Sequence, residues 1–239
     1  MRLALLLAAV LALPAAAQAP DTLAIAPGDG ALVTDWLASE SRTYALRVTA
    51  PVQQEVGTAT ETVTVADGVV TRVLRMSVPM QGVSQTDSLV ADAATLAPRL
   101  HRSTGGMTEA SLEFMAEGVV GVLTPRQGEA QTVTLMTDAP VFDTAWAGEI
   151  AQSLPFADGL VARVEAFTAQ GADAPVDVVY TVTGRAPVAV DGAERTAWTV
   201  ETTMGPVTMT YFVDAETRAM LKTEFSPQPG VTVQIAPTY

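Results

Sequence analysis

The chain has one histidine and no cysteine, so any imidazole chemistry rests on His101. It lies in the segment Pro98 to Ser103, between Arg99 and Arg102. Converging guanidinium charges would lower its pKa and leave a neutral ring able to act as a base. The segment reads as a strand, which puts Arg99 and His101 on one face and Arg102 on the other. With no nucleophile beside it, His101 is read as a surface strand residue; if it has a task, it is to receive an anionic partner together with Arg99. Paired carboxylates are the next candidates, since glycosidic chemistry needs two of them about 5–10 Å apart across a cleft. Glu109 and Glu113 share a face, but their strand also places Ser111 outward and Ala110, Leu112 and Phe114 inward, an ordinary solvated pattern. Asp173 and Asp177, with nearby carbonyls, are the acids best grouped for calcium, yet they lack ligand-loop spacing.

Other chemistry is missing at the level of motif. There is no phosphate-binding glycine pattern, no serine nucleophile elbow, no zinc-protease helix and no EF-hand loop. Gly28-Asp-Gly30 is a turn fragment in a Pro/Gly-rich loop. Without cysteine, thiol catalysis, Cys/His zinc sites and disulfides are excluded. Lys and Arg number 13 against 26 Asp and Glu, a net charge of -13, which repels nucleic-acid phosphates and anionic lipid surfaces. The reading is therefore a protein that is not an enzyme, with no catalytic residue, no metal site and no cofactor.

An apolar constellation remains. Trp146, Ile150 and Leu154 recur at helical spacing, and Trp198, Met209 and Tyr211 lie on the apolar phase of two strands. Facing one another, these six residues would line a pocket for a lipid or other hydrophobic ligand, with methionine supplying adaptable surface. The alternative is solid core packing of a helix on a sheet.

The elements that must position them follow from composition and spacing. The chain holds 31 Val and 31 Thr, β-branched residues that suit a pleated, half-buried surface. Alternation is clear at Val176, Val178, Tyr180 and Val182, at Trp198, Val200 and Thr202, and at Val207, Met209, Tyr211 and Val213. Thr64, Thr134, Thr199 and Thr208 take the wetter faces. Asp67-Gly68 and Asp191-Gly192 are hairpin turns that favour φ > 0. Turns are also expected at Pro125 to Gly128, Asp214 to Thr217 and Pro227 to Gly230. Asp143 is a good N-cap for one amphipathic helix near 144–154, which Pro155 ends. Leu32 to Ala38 reads either as a weaker helix or as a loop that packs Trp36. The fold class is all-β: a single large curved antiparallel sheet or half-barrel of roughly a dozen strands, with one packed helix.

The first residues carry Arg2, an apolar run from Leu3 to Leu13, Pro14 and small residues in Ala-x-Ala spacing. These are the marks of a cleaved secretory signal peptide over residues 1–19, its apolar run too short to span a bilayer. Residues 20–239 are read as one β domain, exported, without a transmembrane anchor. A cysteine-free exported chain fits a bacterial periplasm better than an extracellular setting.

Two segments carry a family likeness. Tyr211 to Phe225 is a strand, Asp214-x-x-Thr217, and a second strand with Leu221-Lys222-x-Glu224; Gln85 to Ser103 looks like its matching hairpin. With Ser153 to Gly159 they resemble exported bacterial domain-of-unknown-function β proteins placed near the outer-membrane lipoprotein-sorting (carrier) fold. The resemblance implies a curled antiparallel sheet, open on one side, with a helix against its concave face and an apolar cavity between them. It carries over no catalytic residue, and the chain departs from the carriers in its acidity and its single helix. The expected function is a periplasmic binding protein, a carrier of a lipid or other hydrophobic ligand. The alternative is an envelope structural or interaction module with a solid core that meets a protein partner.

Overall fold

The structure, a computed structural model, describes residues 22–169, 174–190 and 192–238. Residues 1–19, read above as a signal peptide, lie outside them, as do Asp173 and Asp191. After the short β1 (Thr22–Ala24), one antiparallel meander runs through β2 (Glu40–Ala50), β3 (Gln54–Ala66), β4 (Val69–Val78), β5 (Val83–Asp92), β6 (Pro98–Thr104), β7 (Thr108–Met115), β8 (Gly118–Pro125) and β9 (Gln131–Met136). The two-residue β10 (Phe142–Asp143) leads through a 3-10 turn (Thr144–Trp146) into α1 (Ala147–Ser153). A second meander follows: β11 (Val161–Phe167), β12 (Val176–Val190), β13 (Ala193–Met204), β14 (Val207–Asp214), β15 (Met220–Gln228) and β16 (Val231–Thr238).

Antiparallel pairing of β16 with β2 joins the two meanders into one 16-stranded sheet. At one end, β1 and β10 both lie parallel along β11; at the other, β9 is the last strand. The sheet curls far enough for its ends to share side chains. Phe114 of β7 meets Phe167 of β11 edge to face, centroids 6.3 Å apart, and Phe167 packs in one apolar cluster with Leu135 of β9 and Val141.

The helix sits inside this curl. Trp146, Ile150 and Leu154 are essentially fully buried and pack with Val70 and Leu89 of the first meander and Val164, Tyr180 and Val200 of the second. Each such side chain contributes roughly 1.5–3 kcal/mol by leaving water, which is how a seven-residue helix, too short to persist alone, is held in place.

Turn chemistry behaves as its residues dictate. Asp67 and Gly68 both have positive φ, closing the two-residue hairpin between Ala66 and Val69. A second device appears twice. Asp92 Oδ1 accepts from the backbone N–H of Ala94 and Thr95, and Asp214 Oδ1 accepts from Glu216 and Thr217. In each, the residue after the threonine, Leu96 or Arg218, has positive φ and its N–H returns to the aspartate carbonyl. The sequences behind them, Asp-Ala-Ala-Thr-Leu-Ala and Asp-Ala-Glu-Thr-Arg-Ala, match at four of six positions. Leu32 to Ala38 is a loop without helix; its Trp36 Nε1 donates to Ser153 Oγ at 3.1 Å, so the loop reading holds.

Candidate ligand cavity and a buried charge cluster

A cavity of about 310 Å³ opens between α1 and the concave sheet. One wall is Leu46, Ala59, Leu74 and Met76 from β2, β3 and β4; the facing wall is Met204, Met209, Met220 and Ile235 from β13 to β16. Ala147 and Gly148 of the helix cover it. Four methionines in one lining give an unbranched, polarizable surface that fits irregular apolar shapes.

One end of the cavity is charged. On β4 the inward phase runs Val70, Arg72, Leu74, Met76, so strand alternation drives Arg72 into the interior. The same geometry on β3 brings Glu61 in beside Ala59, and Asp87 enters from β5. Arg72 Nε lies 2.5 Å from Glu61 Oε1 and 2.7 Å from Glu149 Oε1, and its Nη1 donates to the Ala145 carbonyl at 3.2 Å. Tyr44 OH donates to Glu61 Oε2 at 2.7 Å.

Two carboxyls thus share one guanidinium, and their environments separate them. Burial acts against charge on Glu61, but Arg72, the Tyr44 hydroxyl and Arg42 together outweigh it and hold its pKa below the usual value. Glu149, 6% exposed, is pushed up to about 7, mainly by burial and further by the charge of Glu61, against the pull of Arg72. Burial works against Arg72 as well, yet the two carboxylates keep it firmly protonated. Burial, then the neighbouring Glu149, raises Tyr211. Glu149 Oε2 and Gln152 Oε1 are buried without a hydrogen-bond partner. Asp87 accepts from Gln85 Nε2 at 2.8 and 3.0 Å.

The helix is tethered at both ends. Asp143 Oδ1 caps the 3-10 turn that leads into it by accepting from Ala145 N–H at 2.9 Å, a task its residue type suits. Asp143 Oδ2 lies 2.7 Å from His101 Nδ1. At the other end Arg218 Nη1 donates to the carbonyls of Gln152 and Leu154 at 2.7 and 2.9 Å, satisfying groups a helix terminus leaves unpaired.

His101 is therefore not the surface residue expected: it is 4% exposed. Arg99 is exposed beside it. The reason is a bulge: Val90 pairs with Leu100 while Ala91 pairs with Pro98, so Arg99 is an extra residue in β6 and the alternation resets across it. An anion site shared by Arg99 and His101 is ruled out by this geometry, and Arg99 instead pairs with Asp92 at 3.0 Å. Burial opposes charge on the imidazole, but the hydrogen bond and charge of Asp143, with Asp87, raise its pKa above the usual value despite Arg72. An acid stands within reach of His101, yet His101 does not line the cavity. Glu109 and Glu113 point outward over Ala110 and Leu112 as expected. Asp177 is engaged by Arg163, both contacts at 2.8 Å, and among the described residues no group of acids is arranged to hold a metal.

Of the six residues read as a ligand site, Met209 and Tyr211 line the cavity. Trp146, Ile150, Leu154 and Trp198 do not. The first three form the helix stripe that packs into the core, where the crevice beside Trp146 measures only about 10 Å³. Trp198 is sandwiched between Phe156, stacked at 5.3 Å, and the Arg185 guanidinium 4.3 Å above its ring. The cavity takes the neighbouring helix face, Gly148, Glu149 and Gln152, which the apolar stripe does not announce. Glu61, Arg72 and Asp87 were missed too, although each occupies the inward phase of its strand, and a charge in that phase is the signal for a buried site.

Residues 42–235 match the family described as a protein of unknown function (DUF3108). Among solved structures, the chain is similar to a β-barrel-like protein of the domain of unknown function DUF1849 from Brucella abortus. That match has a TM-score of 0.52 and 12% identity, over 83% of this chain and 94% of the other. A second similarity is to a "putative lipoprotein" from Parabacteroides distasonis, with a TM-score of 0.29 and 7% identity over 86% of this chain and 97% of that one. No curated protein matches. The DUF1849 likeness bears on the fold alone, a β-barrel-like curled sheet. No helix among the described residues is long and apolar enough to cross a membrane.

Proposed function

The chain belongs to the DUF3108 family, and from that premise we propose that it is a non-enzymatic binding protein of the bacterial envelope that holds a lipid or other hydrophobic small molecule between sheet and helix. The observation that supports this is the cavity of about 310 Å³ with a four-methionine lining, at the lower end of the size range of ligand sites. A solid-core interaction module would leave no such space under the helix. The signal-peptide pattern of residues 1–19, a basic residue followed by an apolar run and small residues, supports export, with the periplasm as the proposed compartment.

Native mass spectrometry of the mature protein purified without detergent from its export host, before and after solvent extraction, tests the reading. The expected result is an apolar adduct that extraction removes and that Met209→Trp, which puts an indole into the cavity, prevents. An adduct-free mass, unchanged after incubation with envelope lipids, would overturn it.

A further inference from the structure

We infer that the cavity is selective for amphiphiles with a cationic amine head and rejects those with a carboxylate or phosphate head; this rests on the cavity being a ligand site. Its polar end presents three carboxyl groups, Glu61, Asp87 and Glu149, against the single guanidinium of Arg72. That guanidinium is already committed, with Nε on both glutamates and Nη1 on the Ala145 carbonyl.

The groups left unsatisfied at this end are acceptors. Glu149 Oε2 and Gln152 Oε1 are buried without partners, on residues each 6% exposed that line the cavity. Asp87 accepts from a neutral amide, Gln85, and its charge also acts on the buried His101, but no arginine or lysine is paired with it among the described residues. An ammonium offers three donors and no acceptor, so it would satisfy such oxygens and offset the acidic excess. A carboxylate or phosphate offers only acceptors. It would meet like charge in a poorly screened interior, where ionised groups repel strongly.

The test is calorimetric titration at pH 7.5 with three probes of equal chain length, dodecylamine, dodecanol and dodecanoate, each below its micellar concentration. The expected result is saturable binding of dodecylamine at least tenfold tighter than dodecanoate, with dodecanol between them. Asp87→Asn should narrow that ratio at least threefold. Met209→Trp, which leaves the surface charge intact, should abolish dodecylamine binding. Dodecanoate binding as tightly as dodecylamine would overturn the charge selectivity while leaving the cavity reading intact, and dodecylamine binding that survives Met209→Trp would reduce it to adsorption on an acidic surface. If none of the three binds, the cavity reading itself fails. Should Asp87→Asn not fold, the wild-type ranking with Met209→Trp still decides.

Discussion

Asp143 and His101 are joined across 2.7 Å, Oδ2 to Nδ1, by the same carboxylate whose other oxygen caps the first turn before α1. One side chain thus both caps the turn that starts the helix and anchors that start to β6. Asp143→Ala should cost about 2–4 kcal/mol, the sum of about 1 for a lost cap and about 1–3 for a buried imidazole left without its partner. Urea denaturation of the variant measures this. A loss under about 1 kcal/mol would mean that the His101 contact contributes nothing.

Stability should be greatest in mildly acid solution. Glu149 has a folded pKa of about 7 against an ordinary 4.5. Between those values the native state keeps a proton the unfolded chain has released, so stability falls as pH rises through that window. His101 is raised above 6.5; its contribution is complete below that value and is lost as pH rises through the folded pKa. On the acid side Asp92, Asp214, Glu61 and Glu224 are held below their ordinary values, so their contributions disappear as pH falls below about 4. With a combined loss of ~2 kcal/mol, Tm should drop by roughly 4–8 °C between pH 5.5 and pH 8. Calorimetry that finds the higher Tm at pH 8 would contradict this assignment.

Arg72→Met strands two carboxyls in the interior and should cost about 3–5 kcal/mol. Adding Glu149→Gln removes one of the stranded groups, so the double variant should recover a substantial part of that loss. A double-mutant cycle by chemical denaturation reads the coupling between the two positions. Strict additivity would show that the 2.7 Å contact between them carries no energy.

The two faces of the helix should separate in function. Trp146→Ala empties a packed site and should cost about 3–5 kcal/mol. Met209→Trp fills existing space, so it should leave the denaturation midpoint nearly unchanged and remove binding of an apolar fluorescent probe. Loss of probe binding in a still-folded Trp146→Ala protein, with Met209→Trp unaffected, would move the ligand to the other side of the helix.

Gly148→Ala offers a milder probe of the same face. A methyl group there meets Tyr211 Cε1 at 3.9 Å and Met220 Cε at 4.0 Å, ordinary van der Waals contacts. Alanine also favours helix by up to about 1 kcal/mol over glycine. The variant should therefore be more stable by about 0.5–1 kcal/mol, as thermal denaturation will show; a lower Tm would mean that the helix cannot accommodate even one added carbon.

What the sequence determined by itself was local. Alternating Val and Thr specify strands because side chains on a pleated backbone point to opposite faces at a period of two. Asp67-Gly68 and Asp214 to Thr217 specify turns because their own backbone and side-chain geometry closes them. Asp143 to Leu154 specifies a capped helix with one apolar stripe. The curled all-β class follows from these, since a dozen half-buried strands and one helix have few other ways to cover their apolar faces. Only the tertiary structure decided which residues meet. Arg72 reaches the backbone of the 3-10 turn before the helix, 73 positions further on, because the sheet curls, and curvature is a sum over many small twists that no short pattern encodes. One inserted residue at Arg99 turned His101 from the surface into the interior, since a single step of register exchanges the two faces of a strand. The helix stripe marked the face that packs. The cavity formed on the adjacent face, where a glycine, a glutamate and a glutamine leave space that two distant meanders enclose.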